Sequence, residues 1–117
     1  MKKYVDANEF DKAEEFCLTK DKNNTHGLLT TLLTIYFEYY QNYMTEAKHL
    51  LEAKDISGQA KSKQKAQIYE ERALRLMRNQ KAKTQLDPVT VLSKIPDDWE
   101  IITGDRNLIS LFSSMFD

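Results

Sequence analysis

Apolar residues in this chain recur every three or four positions, and that spacing predicts helices. Residues 1–5 read as the tail of a helix, and Asp6-Ala7-Asn8 as a short connection. From about Glu9 to Lys20, Phe10, Ala13, Phe16 and Cys17 share one face, while Asp11, Lys12, Glu14 and Glu15 take the other. A polar loop over 21–24 follows, with Asn24 or Thr25 placed to cap the next helix, about His26 to Lys54, with a break near Thr45. Leu28, Leu29, Leu32, Leu33, Ile35, Tyr36, Phe37, Tyr39, Tyr40, Tyr43 and Met44 cover more than half of that helix, so it should be sandwiched between neighbours.

Ile56-Ser57-Gly58 is expected to break the pattern. A third long helix then runs from about Gln59 to Thr84, polar nearly all round at first, with Ile68, Tyr69, Ala73, Leu76 and Met77 on one face later. The next helix has both ends written out: Asp87 can cap it and Pro88 takes its first position, where a missing N–H costs nothing. Val89, Leu92 and Ile95 or Pro96 line one side, and Pro96 stops the helix near Lys94. Trp99 supplies a large apolar anchor where the chain folds back. A last helix, about Asp105 to Phe116, carries Leu108, Ile109, Leu111, Phe112, Met115 and Phe116. No period-two alternation competes. The expected fold is all-α, a single domain in which antiparallel helical hairpins stack as an α-solenoid.

Composition narrows the class. At 117 residues, with 41% hydrophobic and 30% charged residues, the chain is one globular domain able to bury a core. Three glycines and two prolines imply long helices and short loops. The single Cys excludes an internal disulfide and fits a cytosolic protein. No stretch of about 18 apolar residues is present, so no transmembrane segment is expected. Met1-Lys2-Lys3-Tyr4 runs straight into patterned sequence, which suggests a piece cut from a longer chain, though a small whole protein would look similar. Residues 1–45, 46–85 and 86–117 carry −2, +5 and −4, which combine to the net −1.

Catalytic chemistry finds little footing. His26 and His49 lack metal-ligand spacing, Cys17 sits on an apolar face with no paired His, and Asp97-Asp98 reads as solvated or capping. No enzyme and no cofactor are expected. The tyrosines at 36, 39, 40 and 43 read as core packing with hydroxyls reaching the edge, in preference to a stacking surface for nucleic acid or a peptide. Lys61, Lys63, Lys65, Arg72, Arg75, Arg78, Lys81 and Lys83 form the rival signal, a basic face for RNA or anionic lipid. Arg72, Arg75 and Arg78 nevertheless step by three as a solvated face does, so no nucleic-acid partner is expected. The last helix is the strongest interaction candidate: either a neighbour inside the fold covers both its sides, or another protein does, with Leu108, Leu111, Phe112, Met115 and Phe116 as partner-binding residues.

Three blocks kept in order carry a resemblance. Lys12-Ala13-Glu14-Glu15-Phe16-Cys17 is similar to the Lys-Ala-Glu-x-Tyr-Cys signature of clathrin-heavy-chain-like repeats. Leu29 to Phe37 resembles the Leu-x-x-Leu-Leu-x-Ile-Tyr-Leu helix that follows it. Ala73-Leu74-Arg75-Leu76-Met77 and then Asp87 to Trp99 resemble the C-terminal domain of the vacuolar sorting protein thirty-nine family, which includes vacuolar sorting protein three. Residues 46–68 lie outside these blocks, and the match loosens after Trp99. The resemblance implies a subunit of the CORVET or HOPS tethering complexes. Its C-terminal region would dock a Rab-engaging subunit onto the core subunit vacuolar sorting protein eleven, in the cytoplasm and peripheral to the endosome or vacuole membrane.

Overall fold

The computed structural model describes residues 2–20, 27–79 and 86–93 together with Ile95, Trp99, Ser110 and Ser114. Among the described residues, five helices have defined bounds: α1 (Lys2–Asp6), α2 (Phe10–Lys20), α3 (Leu28–Glu52), α4 (Ile56–Arg78) and α5 (Pro88–Ser93). The described residues contain no strand, and the protein is all-α. α3 and α4 form one long hairpin, while α2 and α5 pack on other parts of α3 and α1 packs on α2.

The tyrosine-rich middle of α3 explains this arrangement. At about 100° per residue, Tyr39, Tyr43, Tyr36, Tyr40, Leu33 and Phe37 follow one another around an arc of about 160°. One edge meets α2 and α4: the Tyr36 ring stands edge-on to Phe10 at 5.8 Å, and Tyr39 edge-on to Tyr69 at 5.2 Å. The other edge meets Trp99, which lies 5.8 Å from Phe37 and 5.5 Å from Tyr40. The sandwiched position expected of this helix is therefore observed.

Several boundaries differ from expectation. α3 is capped by Gly27, whose φ of 62° is left-handed, and its first residue is Leu28. Asn24 and Thr25 lie outside the described residues. No break occurs at Thr45, whose hydroxyl donates to the Gln41 carbonyl at 2.9 Å within a continuous helix. The break falls at 53–55, and Ile56, Ser57 and Gly58 form the first turn of α4. α3 ends with Lys54 in the left-handed conformation at φ 61°. There Lys54 N–H donates to Leu51 and Asp55 N–H to Leu50, a paired closure that satisfies the last carbonyls of the helix. α1 closes onto α2 in the same way, with Asn8 left-handed at φ 59°.

Gly58 serves the next helix instead. The Asp55 carboxylate accepts from Gly58 N–H at 2.9 Å, and a Cβ at Gly58 would stand 2.5 Å from Asp55 Oδ2. The glycine that looked like a stop signal leaves room for an N-cap. A lysine meanwhile occupies the position that glycine usually fills. Lys54→Gly should therefore stabilise the hairpin by about 0.5–1 kcal/mol, relief of left-handed strain outweighing the added freedom of the unfolded chain. Urea denaturation of the two proteins measures it, and an unchanged or lowered midpoint counts against the strain argument.

α5 begins at Pro88 as its sequence predicts. Asp87 Oδ1 accepts from the Val89 and Thr90 N–H groups at 3.1 and 3.4 Å, and Oδ2 accepts from the Thr90 hydroxyl at 2.6 Å. These bonds hold the Asp87 carboxyl below its ordinary range, the Thr90 hydroxyl first. Asp87 N–H in turn donates to the buried Thr30 hydroxyl of α3 at 2.9 Å, which ties the start of α5 to the core. The buried face of α5 is not the expected one. Val91 is fully buried, whereas Val89 is 75% exposed and Leu92 39%. In two turns the side that meets α3 is chosen by the Asp87–Thr30 bond, and Val89 and Leu92, three apart, are turned outward together.

Candidate functional site

Trp99 is 4% exposed, as its sequence position predicts. With Thr34, Phe37, Glu38, Gln41, Val91 and Ile95 it lines a small cavity of about 160 Å³ between α3 and α5. Asp87, Pro88 and Trp99 thus fall where expected. Pro96 and the five residues proposed to bind a partner, Leu108, Leu111, Phe112, Met115 and Phe116, lie outside the described residues. Ser110 and Ser114, in the same segment, are helical and exposed.

The basic face of α4 is divided. Lys61, Lys63, Lys65, Arg75 and Arg78 are exposed, but the Arg72 side chain is only 12% exposed and does not belong to a solvated face. It reaches across to α2. Its Nη2 donates to Asp11 Oδ1 at 2.8 Å and to Glu14 Oε2 at 2.7 Å, and its guanidinium lies 5.3 Å from the Phe10 ring centroid. Arg72 Nε, Glu14 Oε1 and the Tyr36 hydroxyl are buried beside it and make no hydrogen bond to the described residues. Burial pushes the Glu14 carboxyl above its ordinary value, against the pull of the Arg72 charge. Burial, then the Glu14 charge, pushes the Tyr36 phenol well up. Arg72 itself is held protonated: burial opposes its charge, but the Asp11 bond and the Glu14 charge outweigh that. Asp11 is exposed and drops below the ordinary carboxylate value through its bond to Arg72. Nothing local in the sequence signals this bridge, because its partners stand 58 and 61 residues apart.

Beyond Phe10, the tyrosines open to the surface. Phe10 stands edge-on to Tyr69 at 5.7 Å, and Tyr69 stacks nearly parallel to Tyr43 at 5.7 Å and 12°. Tyr39, Tyr43 and Tyr69, with Asp6, Asn42 and Glu46, line an open groove of about 370 Å³. Tyr69 is buried, Tyr39 and Tyr43 are half-buried, and Asp6, Asn42 and Glu46 are exposed. The Tyr39 hydroxyl donates to Asp6 Oδ1 at 2.6 Å, fastening α1 to α3. Burial first, then that bond and the Asp6 charge, hold the Tyr39 phenol well above its ordinary value. Tyr69 is also raised, by burial and then by Tyr43 and Asp6. The Tyr39 and Tyr69 phenols therefore stay neutral near pH 7.

The tyrosine run thus divides: Tyr36 and Tyr40 are core, as expected, while Tyr39 and Tyr43 wall a groove. Four-residue spacing on α3 was visible in the sequence; the contribution of Tyr69 from α4 and Asp6 from α1 was not. Cys17 is buried, and its thiol contacts the Leu28 carbonyl at 3.6 Å, as befits a small apolar residue. Among the described residues, no three His, Cys, Asp or Glu side chains are placed to hold a metal ion, and no helix is long and apolar enough to cross a membrane. No protein-family model, curated protein or solved structure matches this chain.

Proposed function

We propose that this chain is a non-enzymatic interaction module, a unit of an α-solenoid of antiparallel hairpins whose C-terminal end docks onto another protein. The exposed apolar side of α5 carries the reading. Val89 and Leu92 face outward from a helix whose other side is fastened by Val91, and whose start is fastened by the Asp87 cap and the Thr30 bond. A short helix held this firmly can present apolar side chains without ordering cost, and large apolar anchors supply most interface energy.

The three ordered sequence blocks support a specific partner. The module would join a Rab-engaging subunit to vacuolar sorting protein eleven in a CORVET or HOPS tethering complex. Its membrane association would then be peripheral and through the complex. The rival basic-face reading is weakened by the engagement of Arg72 with Asp11 and Glu14.

A pull-down with that core subunit tests the proposal. Leu92→Asp should lower association about tenfold or more, as should Phe112→Asp and Phe116→Asp, each with a melting curve to show that folding persists. Wild-type association by all three variants overturns it. So does loss of association on reversing Lys63 and Arg75, which would put the interface on α4.

A further inference from the structure

The groove of Tyr39, Tyr43 and Tyr69 lies on α1, α3 and α4 and does not include α5. We propose that it is a binding site for an alkylammonium group, the side chain of a lysine presented by a partner protein. Tyr69 lies deepest, with Tyr39 perpendicular to it and Tyr43 stacked nearly parallel beside it. Aromatic faces carry negative charge density, so converging rings attract a cation that sheds part of its water. Two carboxylates, Asp6 and Glu46, stand among the lining residues with the Asn42 amide.

The chain itself shows what these faces accept. Lys2 places its ammonium 5.9 Å from the Tyr39 ring centroid, and Lys65 places its own 5.6 Å from that of Tyr43. Neither lysine lines the groove. An ammonium from outside therefore meets the same rings with carboxylates added. Those carboxylates select among cations. A primary ammonium donates three hydrogen bonds, which Glu46, the free Asp6 oxygen and the Asn42 carbonyl can accept, whereas a quaternary ammonium such as a choline headgroup has none to give. The groove opens to solvent at Asp6, Asn42 and Glu46, which suits a side chain entering from another protein.

The test is a titration of the labelled full chain, following tyrosine ring signals by NMR. The probes are Nα-acetyl-lysine methylamide, its neutral Nε-acetyl form and phosphocholine. The lysine probe should give saturable shifts confined to Tyr39, Tyr43 and Tyr69, and the neutral form should give none. Tyr43→Leu should weaken binding about two- to fivefold, the contribution of one ring face. Glu46→Gln, at an exposed position where the fold is not at stake, should weaken it about twofold or more. Lys65→Ala removes a like charge close to Tyr43, so it should tighten binding. Equal shifts from the neutral form would reduce the groove to apolar packing and overturn the proposal. Shifts from phosphocholine but not lysine would assign it to a lipid headgroup and equally overturn it. So would unchanged affinity in both Tyr43→Leu and Glu46→Gln.

Discussion

Replacing Trp99 with alanine should destabilise the protein by about 3–5 kcal/mol. The indole is 4% exposed and wedged between α3 and α5, against the rings of Phe37 and Tyr40. Removing it deletes these ring contacts and enlarges the 160 Å³ cavity already beside it, which Val91 and Ile95 also line. A helix of six residues cannot rearrange to fill that space and has little stability of its own. Urea denaturation measures the loss. The chain has one Trp, so its emission reports this site alone. Native emission should be blue-shifted and poorly quenched; red-shifted, freely quenched emission would show that the indole is not packed there.

Arg72→Met, which keeps the apolar stem and removes the charge, should cost about 2–3 kcal/mol at pH 7. Glu14 is left half-buried without its counter-charge, and deleting one partner of a buried pair costs more than the pair itself contributes. Part of the usual penalty is absent because both side chains keep some exposure to water, 12% and 19%. The pH dependence has a definite sign. Glu14 already holds its proton more tightly in the folded protein than its ordinary value of 4.5 would give, burial being the main cause. A carboxyl raised in this way favours folding below its unfolded value, and that contribution is lost as pH rises through the folded value. Without Arg72 the folded value rises further. The deficit of the variant should therefore be largest near pH 7 and shrink as pH falls toward about 4. Glu14→Gln in the Arg72→Met background should restore most of the loss, read as coupling in a double-mutant cycle. A deficit independent of pH, with no restoration by Glu14→Gln, would mean that Arg72 matters only as packing.

The helical fold is legible along the chain because each long helix is amphipathic at a period its residues can display locally. Phe10, Ala13 and Cys17 on α2, and Tyr69, Ala73, Leu76 and Met77 on α4, are buried as their spacing predicts. Ile68, read on the same α4 face, is 41% exposed and marks the edge of that stripe. The Asp87-Pro88 start and the buried Trp99 are legible for the same reason: a cap and a bulky anchor act on their immediate neighbours. The hairpin break was misplaced because Gly58 outweighed Lys54. The left-handed turn that ends α3 is imposed by the close return of α4, against the local preference of a lysine.

The candidate sites stand at the opposite extreme. A residue pattern says that Tyr39 and Tyr43 share a helix face, and that Arg72 is charged. It carries no information on which distant side chain stands opposite. Arg72 became a buried bridge because α4 passes over α2 at Asp11 and Glu14, and the tyrosines became a groove because Tyr69 and Asp6 arrive from other helices. Local periodicity settles which residues are helical and which mostly avoid water, since both follow from neighbours within a turn or two. Which side of α5 stays exposed, which cation is taken out of solvent, and where rings and carboxylates converge depend on contacts between residues dozens of positions apart. Those contacts exist only once the helices are packed.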